Sequence, residues 1–457
     1  MKGQTEVVNP LGAERIGKLI VCFAVPSIIS LVVNSLYNMV DQVFIGQGVG
    51  YLGNAATNVV MPLTTMMMAL AMMMGDGAAA YISLRLGQGK TEEASRGAGH
   101  AVTVTILIGI LTMMLFEVFL EPLCRFFGAT ESVLPYAVDY GKIIICGFPF
   151  SAIACAFGSI IRADGRPRIS MAGLLIGCIT NMILDPIYIF VFHWGVKGAA
   201  IATITGQFLN AAFFIICMFR CKNLRFKKEY FDPEMPLVRK VASLGISSFI
   251  TQIASTAVMA VMNHTLVSYG EASRYGAEIP LAALGITVKV SQLISGIALG
   301  LAVGCQPILG FNYGSRKYDR VKKVYKLDVI FSTAIMTAAF LIFQFVPEYI
   351  IRLFGQESEL YMEFAVKCFR IFLMLCPVIG VNLSTSTLFQ SIGKPLHAAV
   401  LSLSRQILFL LPSIVILSGI MGVEGALWAG PVGDGLAAVL SVTLVARNWK
   451  TMFSRPE

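Results

Sequence analysis

Four polar side chains within apolar stretches of the sequence have the chemistry of a cation site. They are Asp41 in SLYNMVDQVFIG, Asn181 and Asp185 in NMILDP, and Thr203 in GAAIATITGQ. Asn181 and Asp185 are four residues apart, which places them on one face of a helix. Carboxylates, an amide oxygen and a hydroxyl suit a hard cation such as Na⁺. Two carboxylates in one water-poor pocket do not both ionise readily, so the same group also suits proton uptake near neutral pH.

The same side chains lie at similar depths if their stretches are membrane helices. A rise of about 1.5 Å per residue puts Asp41 roughly 7 Å, Thr203 roughly 8 Å and Asp185 roughly 12 Å below the outer boundary. An Asp near the middle of a bilayer helix costs roughly 2.5–3.5 kcal/mol on insertion scales, which favours a functional role. The alternative is that each polar group only satisfies a hydrogen bond between helices. A second polar layer about one turn deeper consists of Asn38, Asn181 and Gln207.

The composition requires that these side chains be held by membrane helices. Of 457 residues, 56% are hydrophobic and only 13% are charged, and the mean hydropathy is +0.75. A soluble domain is nearer one quarter charged, so the lipid bilayer is the expected surrounding. The net charge of +9 is expected in cytoplasmic loops and not in nucleic-acid binding. The ten Cys residues form no CxxC pair and are expected to pack in the core.

Apolar segments of about 20 residues, the length that crosses the hydrocarbon core, occur twelve times. With a polar N-terminus that lacks a signal peptide, the first segment is expected to remain as an anchor. The twelve predicted spans cover approximately 18–45, 59–86, 97–119, 134–161, 169–192, 198–219, 241–268, 281–311, 327–346, 364–390, 398–418 and 425–446.

Basic residues fix the expected orientation of these spans. Alternating the spans from a cytoplasmic N-terminus places about 26 Lys and Arg on the inner side and about four in outer loops. The positive-inside rule then predicts a multi-pass protein of the cytoplasmic membrane with both termini in the cytoplasm.

The two halves of the chain repeat each other. GVKGA at 195–199 matches GVEGA at 422–426, at an offset of about 227 residues. Six spans per half keep the two repeats in the same orientation, an arrangement typical of alternating-access transporters. The sequence therefore predicts an all-α polytopic membrane protein with twelve transmembrane helices in two pseudo-symmetric six-helix lobes. We expect an N-lobe at 1–219, a basic cytoplasmic linker at 220–240 and a C-lobe at 241–457.

Further residues are candidates for the transport path. Pro26 and Pro186 lack a backbone donor and are candidates for helix bending. Asp76 is expected either to line the central cavity or to anchor to Arg162 or Arg85. Met residues form adaptable walls for assorted apolar ligands, although core packing is the more ordinary role of span 2 Met residues. The candidates for the substrate cavity are Asn38, Gln207, Asp76, Met66, Gln252 and Gln292.

Charged residues deep in the second half need partners. Lys289 and Asp434 lie about 12 and 14 Å below the outer surface, so a structural Lys289–Asp434 pair is predicted, with a substrate or coupling role as the alternative. Arg405 is expected to pack or to extend its charge to the interface rather than to bind a ligand.

The sequence lacks the residue patterns that several other classes of protein require. GQGKT at 87–91 misses the first Gly of a phosphate-binding loop and follows a membrane helix, so direct ATP drive is not expected. The four His residues show no metal-ligand spacing, and no His, Cys or Ser grouping supplies a catalytic site. An enzyme is therefore not expected, and neither is a cofactor or a structural metal. A channel is not expected either, because the twelve spans offer no filter-like loop and no charged ring.

Motifs along the whole chain resemble the multidrug and toxic compound extrusion (MATE) family. They are VPSIISLVVNSLYNMVDQVFIG in span 1, LGQGK after span 2, RADGRPR after span 4, NMILDPIYIF in span 5, GAAIATITGQ in span 6 and NYGSRK after span 8. The resemblance implies a V-shaped pair of six-helix lobes that exports amphipathic, often cationic compounds in exchange for H⁺ or Na⁺.

The resemblance also assigns roles to residues. The family's N-lobe cation site falls on Asp41, Asn181, Asp185 and Thr203, where Na⁺ at the two Asp residues is one possibility. Span 7 lacks the carboxylate that one branch of the family carries, which favours coupling through the N-lobe. We expect a monomeric multidrug efflux antiporter that works by alternating access on small drugs or toxic amphiphiles. The alternative is a flippase for a lipid-linked precursor, which would favour a cationic groove for anionic head groups.

Overall fold

The computed structural model describes residues 9–276, 278–352 and 358–453, and it is almost entirely helical. Those residues form no β-strand. Long apolar segments become helices because lipid offers no hydrogen-bond partners, so the backbone must satisfy its own polar groups.

The described part of the first half of the chain forms nine α-helices. A π-helical segment at Ile187–Val191 follows the eighth helix. The helices are α1 (Pro10–Ala13), α2 (Ile16–Gly48), α3 (Tyr51–Gly87), α4 (Thr91–Val118), α5 (Leu120–Phe126), α6 (Leu134–Cys146), α7 (Phe148–Ala163), α8 (Pro167–Pro186) and α9 (Gly195–Met218).

In the second half, the residues that the structure describes also form nine α-helices. A short 3₁₀ helix at Lys228–Phe231 precedes them, and a π-helical segment at Ser404–Leu410 interrupts the eleventh span. The helices are α10 (Met235–Glu271), α11 (Glu278–Gly314), α12 (Tyr318–Phe345), α13 (Pro347–Arg352), α14 (Glu359–Phe372), α15 (Cys376–Ser391), α16 (Pro395–Leu403), α17 (Leu411–Met421) and α18 (Val423–Phe453).

These helices supply the twelve predicted spans. Among the described residues, ten helical stretches are long and apolar enough to cross a membrane, and two bent helix pairs add one span each. The pair α6–α7 bends by 50° and the pair α14–α15 by 46°. The bends fall where Pro149 and Pro377 begin a new helix, because proline fits the first turn of a helix and not its interior. The prediction of an all-α membrane protein with two pseudo-symmetric six-helix lobes is confirmed, and the breaks repeat in both lobes.

The lobes touch most closely near the basic loops. A Cβ at Gly245 on α10 would lie 1.8 Å from the carbonyl oxygen of Met73 on α3, and one at Gly87 would lie 2.1 Å from the carbonyl oxygen of Phe311. Glycine is required at both positions because any side chain would collide with the opposite backbone. The interface between the lobes is therefore sealed at the end of the molecule that is predicted to be cytoplasmic.

The basic linker after α9 is anchored by one buried carboxylate. Asp164, between α7 and α8, accepts hydrogen bonds from the backbone N–H groups of Lys222, Asn223 and Leu224 at 2.8–3.1 Å. Burial raises the pKa of Asp164, while these donors and the neighbouring Arg166 stabilise its ionised form. The linker thereby keeps a fixed path along the N-lobe, at the end of the lobe where α7 meets α8.

Candidate functional site

The four residues singled out by depth meet inside the N-lobe. Asp41 comes from α2, Asn181 and Asp185 from α8, and Thr203 from α9. All four are buried, and Asp185 is 0% exposed. Three helices thus converge to remove two carboxylates from solvent.

The hydrogen bonds of this cluster run through Asn181. Its Nδ2 donates to Thr203 Oγ1 at 3.0 Å and to Asp185 Oδ1 at 3.4 Å. Asn181 thereby ties α8 to α9 and orients one carboxylate.

Three oxygens of the cluster have no donor among the described residues. They are Asp41 Oδ1, Asn181 Oδ1 and Asp185 Oδ2, all of them buried. Asp41 and Asp185 lie within hydrogen-bonding reach of each other, although carboxylates only accept. No described Lys, Arg or His forms an ion pair with either group. A proton shared by the carboxyl groups, or a small cation between them, would satisfy this arrangement.

Two tyrosines complete the surroundings, and sequence reasoning missed both. Tyr37 lies one turn before Asp41 on α2, beside Thr203 and both carboxylates. Tyr140 on α6 is buried next to the same carboxylates. The i,i+4 spacing of Tyr37 and Asp41 is a signal in the sequence that places the two on one helix face.

The two prolines proposed as bending points occupy different local structures. Helix α2 continues without interruption past Pro26, and Ser30 Oγ donates to the carbonyl oxygen of Pro26 at 2.8 Å. Pro186 ends α8, and the π-helical segment begins at the next residue. A wider helical turn therefore directly follows Asp185.

Asn38 and Gln292 lie on facing helices, just beyond a contact between α2 and α11. A Cβ at Gly296 would lie 4.0 Å from Ser35 Oγ, which marks that contact. Asn38 and Gln292 lie about one turn further out on the same helix faces, and both are exposed.

Met66 and Gln252 hold the equivalent positions between α3 and α10. Each lies seven residues beyond the contact of Met73 with Gly245, and seven residues are two helical turns. Met66 is 42% exposed and Gln252 is partly exposed. Four of the six cavity candidates therefore have exposed or partly exposed side chains on helices that pack across the interface between the lobes.

The other two cavity candidates lie elsewhere. Gln207 packs inside the N-lobe, where its Oε1 lies 2.8 Å from the position of a Cβ at Gly147, at the break between α6 and α7. Asp76 lies in the sealed half, where it accepts hydrogen bonds from Ser159 of the N-lobe and Ser248 of the C-lobe at 3.0 and 2.9 Å. Arg162 is 4.0 Å from Asp76, so the expected anchor is Arg162.

The predicted partner of Asp434 is wrong. Arg405 Nε donates to Asp434 Oδ1 at 2.8 Å, whereas Lys289 is exposed. The π-helical segment Ser404–Leu410 packs against α18 and brings the Arg405 side chain to Asp434. Arg405 is thus an internal counter-ion and not a snorkelling residue. The prediction of Lys289 failed because depth along separate helices does not show which helices are neighbours.

Known proteins share this architecture. A family model named MatE matches residues 26–187 and 246–415 of the chain. Multidrug export protein MepA of Staphylococcus haemolyticus is 24% identical over 434 residues, which cover 94% of this chain and 93% of MepA. The outward-facing structure of a multidrug resistance MATE family transporter of the MOP superfamily has a TM-score of 0.91, with 21% identity over 99% of this chain and 100% of that one. A crystal structure of MATE in the straight conformation has a TM-score of 0.90, with 21% identity over 98% and 99% of the two chains. The two family segments fall in the two halves of the chain.

Proposed function

The chain belongs to the MatE family of multidrug efflux transporters, and we propose that it is a secondary active antiporter driven by H⁺ or Na⁺. Like its relatives it is a multi-pass membrane transporter and not an enzyme. Its proposed cargo is small amphipathic, often cationic compounds.

The observation that carries the proposal is the pairing of Asp41 with Asp185. Two buried carboxylates in contact, with acceptor oxygens left unpaired, make a site whose free energy depends on a bound cation. Asn181 and Thr203 supply the neutral oxygens around it. Coupling needs no cofactor, since the driving cation is itself a substrate.

Alternating access would convert cation occupancy into export. A cation shifts the equilibrium between two conformations only if it binds them with different affinity. Asp41 lies on α2. The same helix packs against α11 of the other lobe, where Ile28 of α2 contacts Gly300 of α11. Cation entry that moves α2 would therefore alter the interface between the lobes, with Pro26 and Pro186 as the bending points.

The orientation and assembly follow from the same proposal. The sealed half carries the basic loops, so a cytoplasmic location of both termini makes this an outward-facing arrangement. We propose a monomer in the plasma membrane whose partners are lipid and the exported compounds, without nucleic acid.

Transport in sealed vesicles tests this function. Purified protein is reconstituted, and drug movement is measured while a pH gradient or a Na⁺ gradient is imposed separately. One gradient is expected to drive transport in the wild type and not in Asp41→Asn. Asp139→Asn, which removes an exposed partner of Lys197, is the matched control and is expected to transport normally. Asp41→Asn transport at the normal rate, or flux that needs neither gradient, would contradict the proposal.

A further inference from the structure

Asp328 in the C-lobe is a further buried carboxylate that has no basic partner among the described residues. Asp328 is 0% exposed and lies ten residues into α12, which begins at Tyr318. The predicted ninth span begins at 327 and places this residue at the membrane boundary. The longer helix instead carries the Asp328 side chain into the packed interior.

Hydroxyl groups surround Asp328. Ser332 Oγ, one turn along α12, donates to Asp328 Oδ1 at 3.4 Å, and Ser384 Oγ of α15 lies 3.4 Å from Ser332 Oγ. Thr385 on α15 shares a 2.9 Å hydrogen bond with Tyr325, which precedes Asp328 on α12. Asp328 Oδ2 is buried and has no hydrogen-bond partner among residues 9–276, 278–352 and 358–453.

No cation neutralises this carboxylate within the part of the chain that the structure describes. The ion pairs of those residues do not include Asp328, whereas Asp434 in the same lobe has Arg405. The titratable groups on which an Asp328 charge acts are Tyr325 on α12 and Cys305 on α11, and neither is cationic. An ionised carboxylate held here would carry the full cost of an unpaired buried charge.

We propose that Asp328 is a proton-binding site of the C-lobe, separate from the Asp41–Asp185 cluster. A protonated carboxyl group keeps Oδ1 as the acceptor for Ser332 and turns Oδ2 into a donor. A proton fits better than Na⁺ because α12 and α15 are in tight contact, with a Cβ at Gly380 only 2.9 Å from Ser332 Cβ. This site goes beyond the proposed antiport, and its test measures proton occupancy without transport.

Infrared spectroscopy of the purified full chain tests the site. The Asp41→Asn/Asp185→Asn background removes the carboxyl groups of the N-lobe cluster. In that background at neutral pH, the C=O stretching band of a protonated buried carboxyl is expected, and adding Asp328→Asn is expected to abolish it. Asp434→Asn, which removes a carboxylate with an internal counter-ion, is the control and is expected to leave the band in place.

A second variant keeps the test independent of the folding of Asp328→Asn. Ser384→Ala removes a neighbouring hydroxyl and is expected to shift the band without abolishing it. Persistence of the band in Asp328→Asn would overturn the proposal, and so would an unshifted band in Ser384→Ala. Loss of the band in the Asp41→Asn/Asp185→Asn background when Na⁺ replaces K⁺ at constant pH would also overturn it, since a metal ion would then hold the site.

Discussion

The Asp41–Asp185 cluster of the N-lobe and Asp434 of the C-lobe are buried carboxylates that are neutralised in different ways. In the N-lobe, Asp41 and Asp185 face each other, and no described basic residue pairs with them. In the C-lobe, Asp434 is held by Arg405 at 2.8 Å. An internal arginine makes the charge a permanent part of the packing, because its guanidinium is always protonated. A carboxylate pair without such a partner depends on a mobile cation, which suits a coupling site.

The largest expected effect is the loss of gradient-driven export when one N-lobe carboxylate is removed. Asp185→Asn eliminates one of the two charges that a driving cation would neutralise, so gradient-driven drug export is expected to fall to the level of empty vesicles. The measurement is drug transport in proteoliposomes under the driving gradient. Asp434→Asn, matched in chemistry and burial, is expected to keep its response to the gradient. Equal loss of gradient response in both variants would show that the lobes do not differ in this respect.

Removal of the C-lobe counter-ion should act on stability. Arg405→Met leaves Asp434 buried without a partner, and breaking such a pair costs roughly 3–5 kcal/mol. The expected result is a lower midpoint of thermal unfolding in detergent. Adding Asp434→Leu removes the orphaned charge and is expected to restore most of the loss. An unchanged midpoint in Arg405→Met would mean that the pair contributes nothing to folding.

The sealed interface offers a smaller, conformational test. Gly245→Leu places a side chain against the carbonyl oxygen of Met73 and should favour separation of the lobes. Overpacking costs about 1–3 kcal/mol, so a roughly 5- to 150-fold change in the population of the sealed state is expected. Distances between spin labels across the interface measure that population.

Gly285 on α11 provides the control for this substitution. A Cβ there meets nothing within 4 Å, so Gly285→Leu is expected to leave the distances unchanged. Identical distance distributions in Gly245→Leu and the wild type would refute the close contact.

The smallest effect is expected in the lobe-facing surface. Gln252→Ala removes one amide from a partly exposed position on α10, and a single hydrogen bond contributes about 0.5–1.5 kcal/mol. Drug affinity measured by fluorescence titration should weaken a few-fold. Gln207→Ala, which changes an amide packed inside the N-lobe, should affect affinity less. A larger loss of drug affinity in Gln207→Ala than in Gln252→Ala would indicate that the drug binds inside the N-lobe.

The depths of residues along the membrane helices could be predicted from the sequence because an α-helix rises by a constant distance per residue. Counting the rise per residue was enough to bring Asp41, Asn181, Asp185 and Thr203 to similar depths, and the structure places them together. The repeat likewise predicted two lobes, which the paired breaks in α6–α7 and α14–α15 confirm.

What the sequence did not predict depends on rotation and helix ends. Arg405 was assigned to packing because its partner becomes visible only when α18 and the π-helical segment are placed side by side. Asp328 was missed because hydropathy falls near the basic end of α12, so the predicted span starts nine residues after the helix does. Tyr37 was missed because an aromatic ring in an apolar helix usually indicates packing.

The most direct test of the coupling site is the linkage between drug and cation binding in purified protein. If Asp41 and Asp185 bind the driving cation in the conformation that releases drug, the dissociation constant of the drug must rise with cation concentration, and reciprocally. Drug affinity is measured across a series of pH values and, separately, of Na⁺ concentrations. The account predicts that one series weakens drug binding in the wild type and that Asp41→Asn shows no dependence on either cation. The same cation dependence in Asp41→Asn as in the wild type would contradict it.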